Sequence, residues 1–182
     1  RLIEVEKGEA EVFFYYSGHG LPDDATKEPY LIPVDVSGSA PKEGIALKSV
    51  YDRLSSHPAK RLVFVLDACF SGGARQSELV ANKGIRIATS INDIPSNAVL
   101  LASSSGAESS GVYTKQFHGY FTYFLLKEWQ SGKWNQPIQT VMSAVETNVA
   151  KQAALDGRQQ TPQLVWGMNL DQQGTWGVGN GN

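Results

Sequence analysis

The sequence has little cysteine: Cys69 is the only one among 182 residues. A single cysteine excludes an intrachain disulfide and any metal site built from several cysteines. It leaves the cellular compartment open, with a lean towards the cytoplasm, because a reactive thiol survives best in a reducing compartment.

Long apolar runs and a strong excess of either charge are absent as well. No run approaches the roughly 20 residues needed to span a bilayer, and no basic stretch followed by an apolar one marks a secretory signal. The formal net charge of −2 does not favour a nucleic-acid partner. We therefore expect a single globular domain with neither a membrane nor a nucleic-acid partner.

Two hydrophobic stretches each end in a reactive side chain. Leu62 to Gly73 reads LVFVLDACFSGG, an apolar run that stops at Cys69 and is followed by a Ser-Gly-Gly turn. Glu11 to Gly20 reads EVFFYYSGHG and places His19 between two glycines, where we expect the backbone to turn sharply. Reactive side chains at the carboxyl ends of buried strands form the usual site of an open α/β sheet. A cysteine and a histidine placed this way suit a thiol nucleophile and its base.

The order of the periodic segments predicts an α/β fold with a mainly parallel sheet. A segment interrupted by Pro33 reads as an edge strand or hairpin. Only three strong core strands are present, so we expect the first β-α-β portion of the sheet to be absent from this chain. The predicted strands are 11–17, 61–67, 98–103 and 163–166, with the Pro33 segment at 30–36, and the predicted helices are 45–56, 117–130 and 138–154.

Two segments lack a periodic pattern. Residues 70–97 are polar and long, which predicts a mobile loop, and residues 167–182 are rich in glycine, asparagine and glutamine, which predicts an irregular tail. Arg75, Lys83 and Arg86 in the loop are candidate self-cleavage positions, and a plain solvated loop is an equal alternative.

The pair FFYYSGHG and VLDACFSGG, in this order, resembles the caspase-like cysteine peptidases, especially their metacaspase, paracaspase and bacterial branch. VLLASSSGAES resembles the next core strand with its substrate-contacting extension, GYFTYFLL the following helix, and QTPQLVWG the closing segment. The resemblance implies a three-layer sandwich around a mainly parallel sheet. It also implies one peptidase domain over residues 1–182 that is incomplete at its N-terminal side.

The resemblance implies that His19 is the general base and Cys69 the nucleophile of a cysteine endopeptidase. The backbone N–H groups of Gly20 and Cys69 would form the oxyanion hole. An imidazole nearby helps to convert the thiol into the nucleophilic thiolate. Taken alone, a lone cysteine is often only a small buried residue, but this one follows the apolar run at the rim of the sheet.

The resemblance also implies substrates with Arg or Lys before the cleaved bond. Asp67 matches an acid at the floor of the first substrate pocket (S1), and such an acid favours Arg through bidentate pairing. Ser17 matches a pocket-lining serine, and Glu108 is either a second acid of this pocket or a solvated loop residue. Where caspases carry a pocket arginine, this chain has Ser110 or Gly111. A strand-end cap or a turn residue is the alternative role for Asp67.

No cofactor is expected, with calcium as the alternative through Asp23, Asp24 and Asp35, although their spacing is not that of a calcium loop. The expected partners are peptide substrates with a basic residue before the cleaved bond, and the protein's own N-terminal portion as a separate chain or domain.

Other functions fit the sequence less well. A non-catalytic caspase-like scaffold is the main alternative, and the presence of both His19 and Cys69 argues against it. A serine hydrolase using residues 103–106 would need a G-x-S-x-G turn, which is absent. A phosphate-binding domain would need a glycine-rich loop with a lysine, which is absent too.

Overall fold

A six-stranded sheet forms the centre of the molecule in a computed structural model that describes residues 5–70, 93–105 and 108–170. The strand order is β3-β2-β1-β4-β5-β8. The three longest strands, β1, β4 and β5, lie side by side and parallel, while β2 and β8 run the other way. The strands of this sheet are β1 Glu11–Pro22, β2 Pro29–Ile32, β3 Ile45–Ala46, β4 Arg61–Cys69, β5 Ala98–Ala102 and β8 Gln163–Trp166.

Helices cover both faces of the sheet, which confirms the predicted α/β sandwich. Helix α1, Leu47–Ser55, packs on one face through Leu47 and Tyr51. Helices α2, Tyr120–Gln130, and α3, Ile138–Leu155, pack on the other face. In the described part of the chain no helix is both long and apolar enough to cross a membrane.

Strand β4 is the centre of the core because its apolar run is covered from both sides, as expected of a strand inside a parallel sheet. Leu62, Phe64 and Leu66 point towards α1, and Val63 and Val65 point towards α2 and α3. All five side chains are buried. The alternation continues to the end of β4, so Asp67 and Cys69 lie on the same face of the sheet as Val63 and Val65.

The predicted sharp turn at the two glycines around His19 is wrong. Strand β1 continues to Pro22, and neither Gly18 nor Gly20 has a positive φ. Pairing with β4 on one side and β2 on the other keeps this segment extended. Glycine at position 20 is needed for packing instead, because a Cβ there would lie 2.4 Å from the ring of Phe70.

Two predicted helix starts also need correction. Helix α2 begins at Tyr120 rather than at residue 117, because Phe117 adopts a left-handed backbone with φ of 58°. Just before the helix, β7, His118–Gly119, pairs with β6, Val112–Tyr113. Helix α1 begins at Leu47, since Ile45–Ala46 forms β3. Helix α3 and strand β8 confirm their predictions. The predicted hairpin forms between β1 and β2, but β2 ends at Ile32 rather than continuing to residue 36.

Strand β1 has an open edge. Within the described ranges, Glu11 to Gly18 pair with β4 on one side and with no strand on the other. Phe13 and Tyr15 are about half exposed on the face that α2 and α3 cover elsewhere. Residues 71–92 of the expected mobile loop and 171–182 of the expected tail lie outside the described residues, as do the candidate cleavage positions.

Two phenylalanines near the start of α2 test its boundary. We expect Phe121→Ala to lower the free energy of unfolding by about 3–5 kcal/mol, because its side chain is fully buried in the core. Phe117→Ala, the matched control, should change it by less than about 0.5 kcal/mol, because that side chain is 91% exposed. Urea unfolding measures both, and equal losses would contradict the observed boundary.

Candidate active site

The pairing of β1 with β4 places His19 and Cys69 next to each other. The two residues are direct register partners in neighbouring parallel strands. Such strands lie about 4.8 Å apart, and paired residues point to the same face. Here that face is the one on which α2 and α3 pack, because Cys69 follows Val63 and Val65 in the alternation. His19 is exposed and Cys69 is half-buried, so both are accessible from solvent.

Ser17 and Asp67 form the preceding pair on the same face. They too are register partners, one alternation before His19 and Cys69. The four side chains thus form a square, which we refer to as the site patch. The structure therefore brings together four of the five side chains that the sequence suggested for catalysis and for the first substrate pocket.

The opposite face of the sheet holds the two strand ends together below the site patch. Phe70 follows Cys69 and is buried among the residues that pack with α1. Its ring occupies the space that a side chain at position 20 would need. Gly20 is therefore required for this contact, which fixes the ends of β1 and β4 beside each other.

Asp67 is buried, with 5% of its surface exposed. Its Oδ2 accepts a hydrogen bond from the Thr122 hydroxyl at 2.6 Å and another from the Thr122 N–H at 3.2 Å. Burial raises the pKa of the Asp67 carboxyl, and the bonds from Thr122 and Ser103 and the nearby His118 oppose that rise only in part. A side chain at Gly119 would collide with the carboxylate.

These contacts give Asp67 a structural role at the start of α2. Thr122 lies in the first turn of this helix, where backbone N–H groups lack partners within the helix. Asp67 caps one of them, a role at a helix start that the sequence alternatives for Asp67 did not include. Its part in a substrate pocket stays a prediction.

Glu108 has its carboxylate engaged by residues outside the site patch. Oε2 accepts hydrogen bonds from the N–H groups of Thr161 at 2.7 Å and Ser105 at 3.3 Å, and Oε1 accepts one from the Thr161 hydroxyl at 3.0 Å. Glu108 thereby joins the loop after β5 to the segment before β8. From the sequence, Glu108 was weighed as a second pocket acid or as a solvated residue. This structural link between two segments was not predicted.

The loop after β5 reaches the sulfur of Cys69. The backbone N–H of Ser110 donates to Cys69 Sγ at 2.7 Å, and the carbonyl oxygen of Ser110 lies 3.9 Å from the same sulfur. The Ser110 hydroxyl is hydrogen-bonded to the hydroxyl of Ser103. Sequence reasoning missed this contact, as it missed Thr122, because both depend on segments that only the fold brings near.

Of the three acids considered for calcium, Asp23 has local partners. Asp23 accepts hydrogen bonds from Ala25 and Thr26 and pairs with Lys42 at 3.3 Å. The Thr26 N–H is the main reason why the pKa of Asp23 falls to about 2. Within residues 5–70, 93–105 and 108–170, no three acidic, histidine or cysteine side chains form a cluster that could hold a metal ion.

The raised pKa of Asp67 predicts how the stability of Asp67→Asn depends on pH. A raised pKa means that the folded protein binds this proton more tightly than the unfolded chain, so the charged carboxylate destabilises the fold above that pKa. We expect Asp67→Asn to be at least as stable as the wild type near neutral pH. Any advantage should shrink as the pH falls through the raised pKa. Urea unfolding across this range measures the difference, and a variant that is less stable at neutral pH would contradict the expectation.

A sequence profile of the caspase domain matches residues 3–172. A probable protease of a Desulfuromonadales bacterium is 37% identical over 59 residues, which are 31% of this chain; the chain spans 7% of that relative's length. A crystallised protein of Geobacter sulfurreducens has a similar fold, with a TM-score of 0.60 and 15% identity over 94% of this chain and 74% of that one. Caspase-1 of Spodoptera frugiperda is similar with a TM-score of 0.55 and 14% identity over 94% and 68%. The profile covers most of the sequence, and the chain belongs to the caspase-domain family of peptidases.

Proposed function

We propose that this protein is a cysteine endopeptidase that cleaves after Arg or Lys, with Cys69 as nucleophile and His19 as base. The observation that carries the proposal is the register of β1 and β4, which pairs these two residues at the rim of the sheet. A base must come within hydrogen-bond reach of the proton that it removes, directly or through one water. Side-by-side positions in adjacent strands allow this.

The chemistry proceeds in two steps. His19 takes the thiol proton, and the sulfur of Cys69 attacks the peptide carbonyl carbon to form a C–S bond. The C–N bond then breaks as His19 gives the proton to the leaving amine. Water, deprotonated by His19, attacks the resulting thioester, which releases the carboxylic acid and restores the thiol. No cofactor takes part in either step.

The negative charge on the carbonyl oxygen needs donors during the attack. We assign this role to the backbone N–H groups of Gly20 and Cys69. Gly20 is the residue after the base His19, and Cys69 is the nucleophile itself. The Phe70 contact supports the assignment because it holds Gly20 next to the end of β4.

The preference for a basic side chain rests on Asp67 and Ser17. They lie one alternation before the dyad on the same face, where the side chain preceding the cleaved bond would enter. A buried carboxylate attracts a guanidinium more strongly than an exposed one, because the surroundings screen the attraction less. The pKa of Asp67 is raised, so lowering the pH should protonate this carboxylate and weaken cleavage after Arg.

The open edge of β1 suggests a further partner. We propose that the protein's own N-terminal portion, as a separate chain or a domain, pairs with Glu11 to Gly18 and covers Phe13 and Tyr15. Support comes from the exposure of these two aromatic side chains on an otherwise covered face. Protection of both rings from solvent when that portion is co-expressed would test the pairing.

Paired fluorogenic peptides that end in Arg, Lys or Asp test the activity. We expect cleavage after Arg and Lys that is lost in Cys69→Ala and reduced about 10²- to 10⁴-fold in His19→Ala, because the base is removed. Each assay is run with calcium and with a chelator, so a calcium requirement appears as a separate result. Cleavage after Asp would refute the proposed pocket, and no cleavage of any peptide would favour the scaffold alternative.

Asp67→Asn tests the pocket separately from the chemistry. We expect kcat/KM for Arg peptides to fall at least about thirtyfold, because the guanidinium loses a buried charged partner. Asp52→Asn is the matched control, since Asp52 is an exposed acid on α1. Equal activity of both variants would show that Asp67 serves only as a cap for α2.

A further inference from the structure

Gln160 is a buried polar residue outside the site patch. Only 1% of its surface is exposed, so its side-chain amide must find partners within the protein. It has one at each end: Nε2 donates to the Ser103 carbonyl oxygen at 2.9 Å, and Oε1 accepts from the Gly111 N–H at 2.7 Å. One side chain thus bridges two backbone positions on the loop after β5.

Polar bonds hold the described residues of this loop, 103–105 and 108–111, to the segments around them. Its sequence SSSGAESSG contains no apolar side chain larger than alanine. Four of these bonds come from the segment before β8: Gln160 is bonded to Ser103 and Gly111, and Thr161 donates two hydrogen bonds to Glu108. Residues 160 and 161 therefore help to hold the described part of this loop, alongside the bonds that join Ser103 to Leu66 and Gly111 to Tyr120.

The held loop touches the nucleophile. Ser110 immediately precedes Gly111, whose N–H is bound by Gln160, and the Ser110 N–H donates to Cys69 Sγ. We propose that Gln160 is a positioning residue for Cys69, which acts through the backbone of Gly111 and Ser110. The consequence for catalysis rests on the proposed peptidase function, whereas the contact of Ser110 with the Cys69 sulfur does not.

The proposal predicts opposite effects on two properties of Cys69. Without the bridge, Ser110 no longer covers the sulfur, so small reagents reach the thiol more easily. A substrate, in contrast, loses a correctly placed loop, and a displacement of about 1 Å near the chemistry can cost about a hundredfold in rate. Reagent access should rise while turnover of Arg peptides falls.

Alkylation by iodoacetamide measures the first property cleanly because Cys69 is the only cysteine. We expect Gln160→Met, which keeps the volume but not the hydrogen bonds, to be alkylated several-fold faster than the wild type while still melting cooperatively. Gln159→Met is the control, since Gln159 is the exposed neighbour, and it should match the wild type.

Equal alkylation rates in Gln160→Met and Gln159→Met would overturn the proposal. If Gln160→Met does not fold, hydrogen exchange in the wild type decides: slow exchange of the Ser110 and Gly111 amides supports the bridge, and exchange at the rate of an unstructured amide refutes it. Faster alkylation of Gln160→Met in a protein that cleaves no peptide would uphold the positioning role and reject the peptidase function.

Discussion

The register between β1 and β4 is the constraint on which the site depends. Successive side chains of a strand alternate between faces, so a slip of one residue would move His19 away from the face of Cys69. Contacts at both ends oppose such a slip. Arg61 Nη1 lies 2.6 Å from Glu11 Oε1 where the pairing begins, and Phe70 fills the space beside Gly20 where it finishes. Between these two contacts, the side chains of β4 from Leu62 to Leu66 are all buried, so a slip of one residue would move each of them to the wrong face of the sheet.

Beyond the apolar core, buried polar groups hold the rim of the sheet together. Asp67 joins β4 to the first turn of α2 through Thr122, and Gln160 joins the loop after β5 to the segment before β8. A buried polar group without a partner is costly, so these side chains permit few arrangements of the segments around them. The loop that Gln160 binds is also the one whose Ser110 N–H donates to the Cys69 sulfur.

Much of the fold could be predicted because the lengths and spacing of the apolar runs indicate which residues are buried in the core. The run before Cys69 and the helical spacing at residues 138–154 both led to elements that the structure contains. The end of β1 was misjudged because glycine suggests a turn, and only its neighbours β2 and β4 keep it extended. The partners of Asp67 and Ser110 could not be predicted, since they come from segments distant in sequence. The catalytic and pocket roles stay predictions.

Covalent labelling of Cys69 by a peptidyl-arginine fluoromethyl ketone is the sharpest test of whether His19 and Cys69 form a catalytic pair. The reaction forms a thioether at Cys69 and releases fluoride, so mass spectrometry of the single cysteine reports on nucleophile, base and pocket together. We expect fast labelling of the wild type, slow labelling of His19→Ala, and little labelling by the matching aspartyl ketone. Equal labelling of wild type and His19→Ala would show that the register of β1 and β4 does not create a catalytic pair.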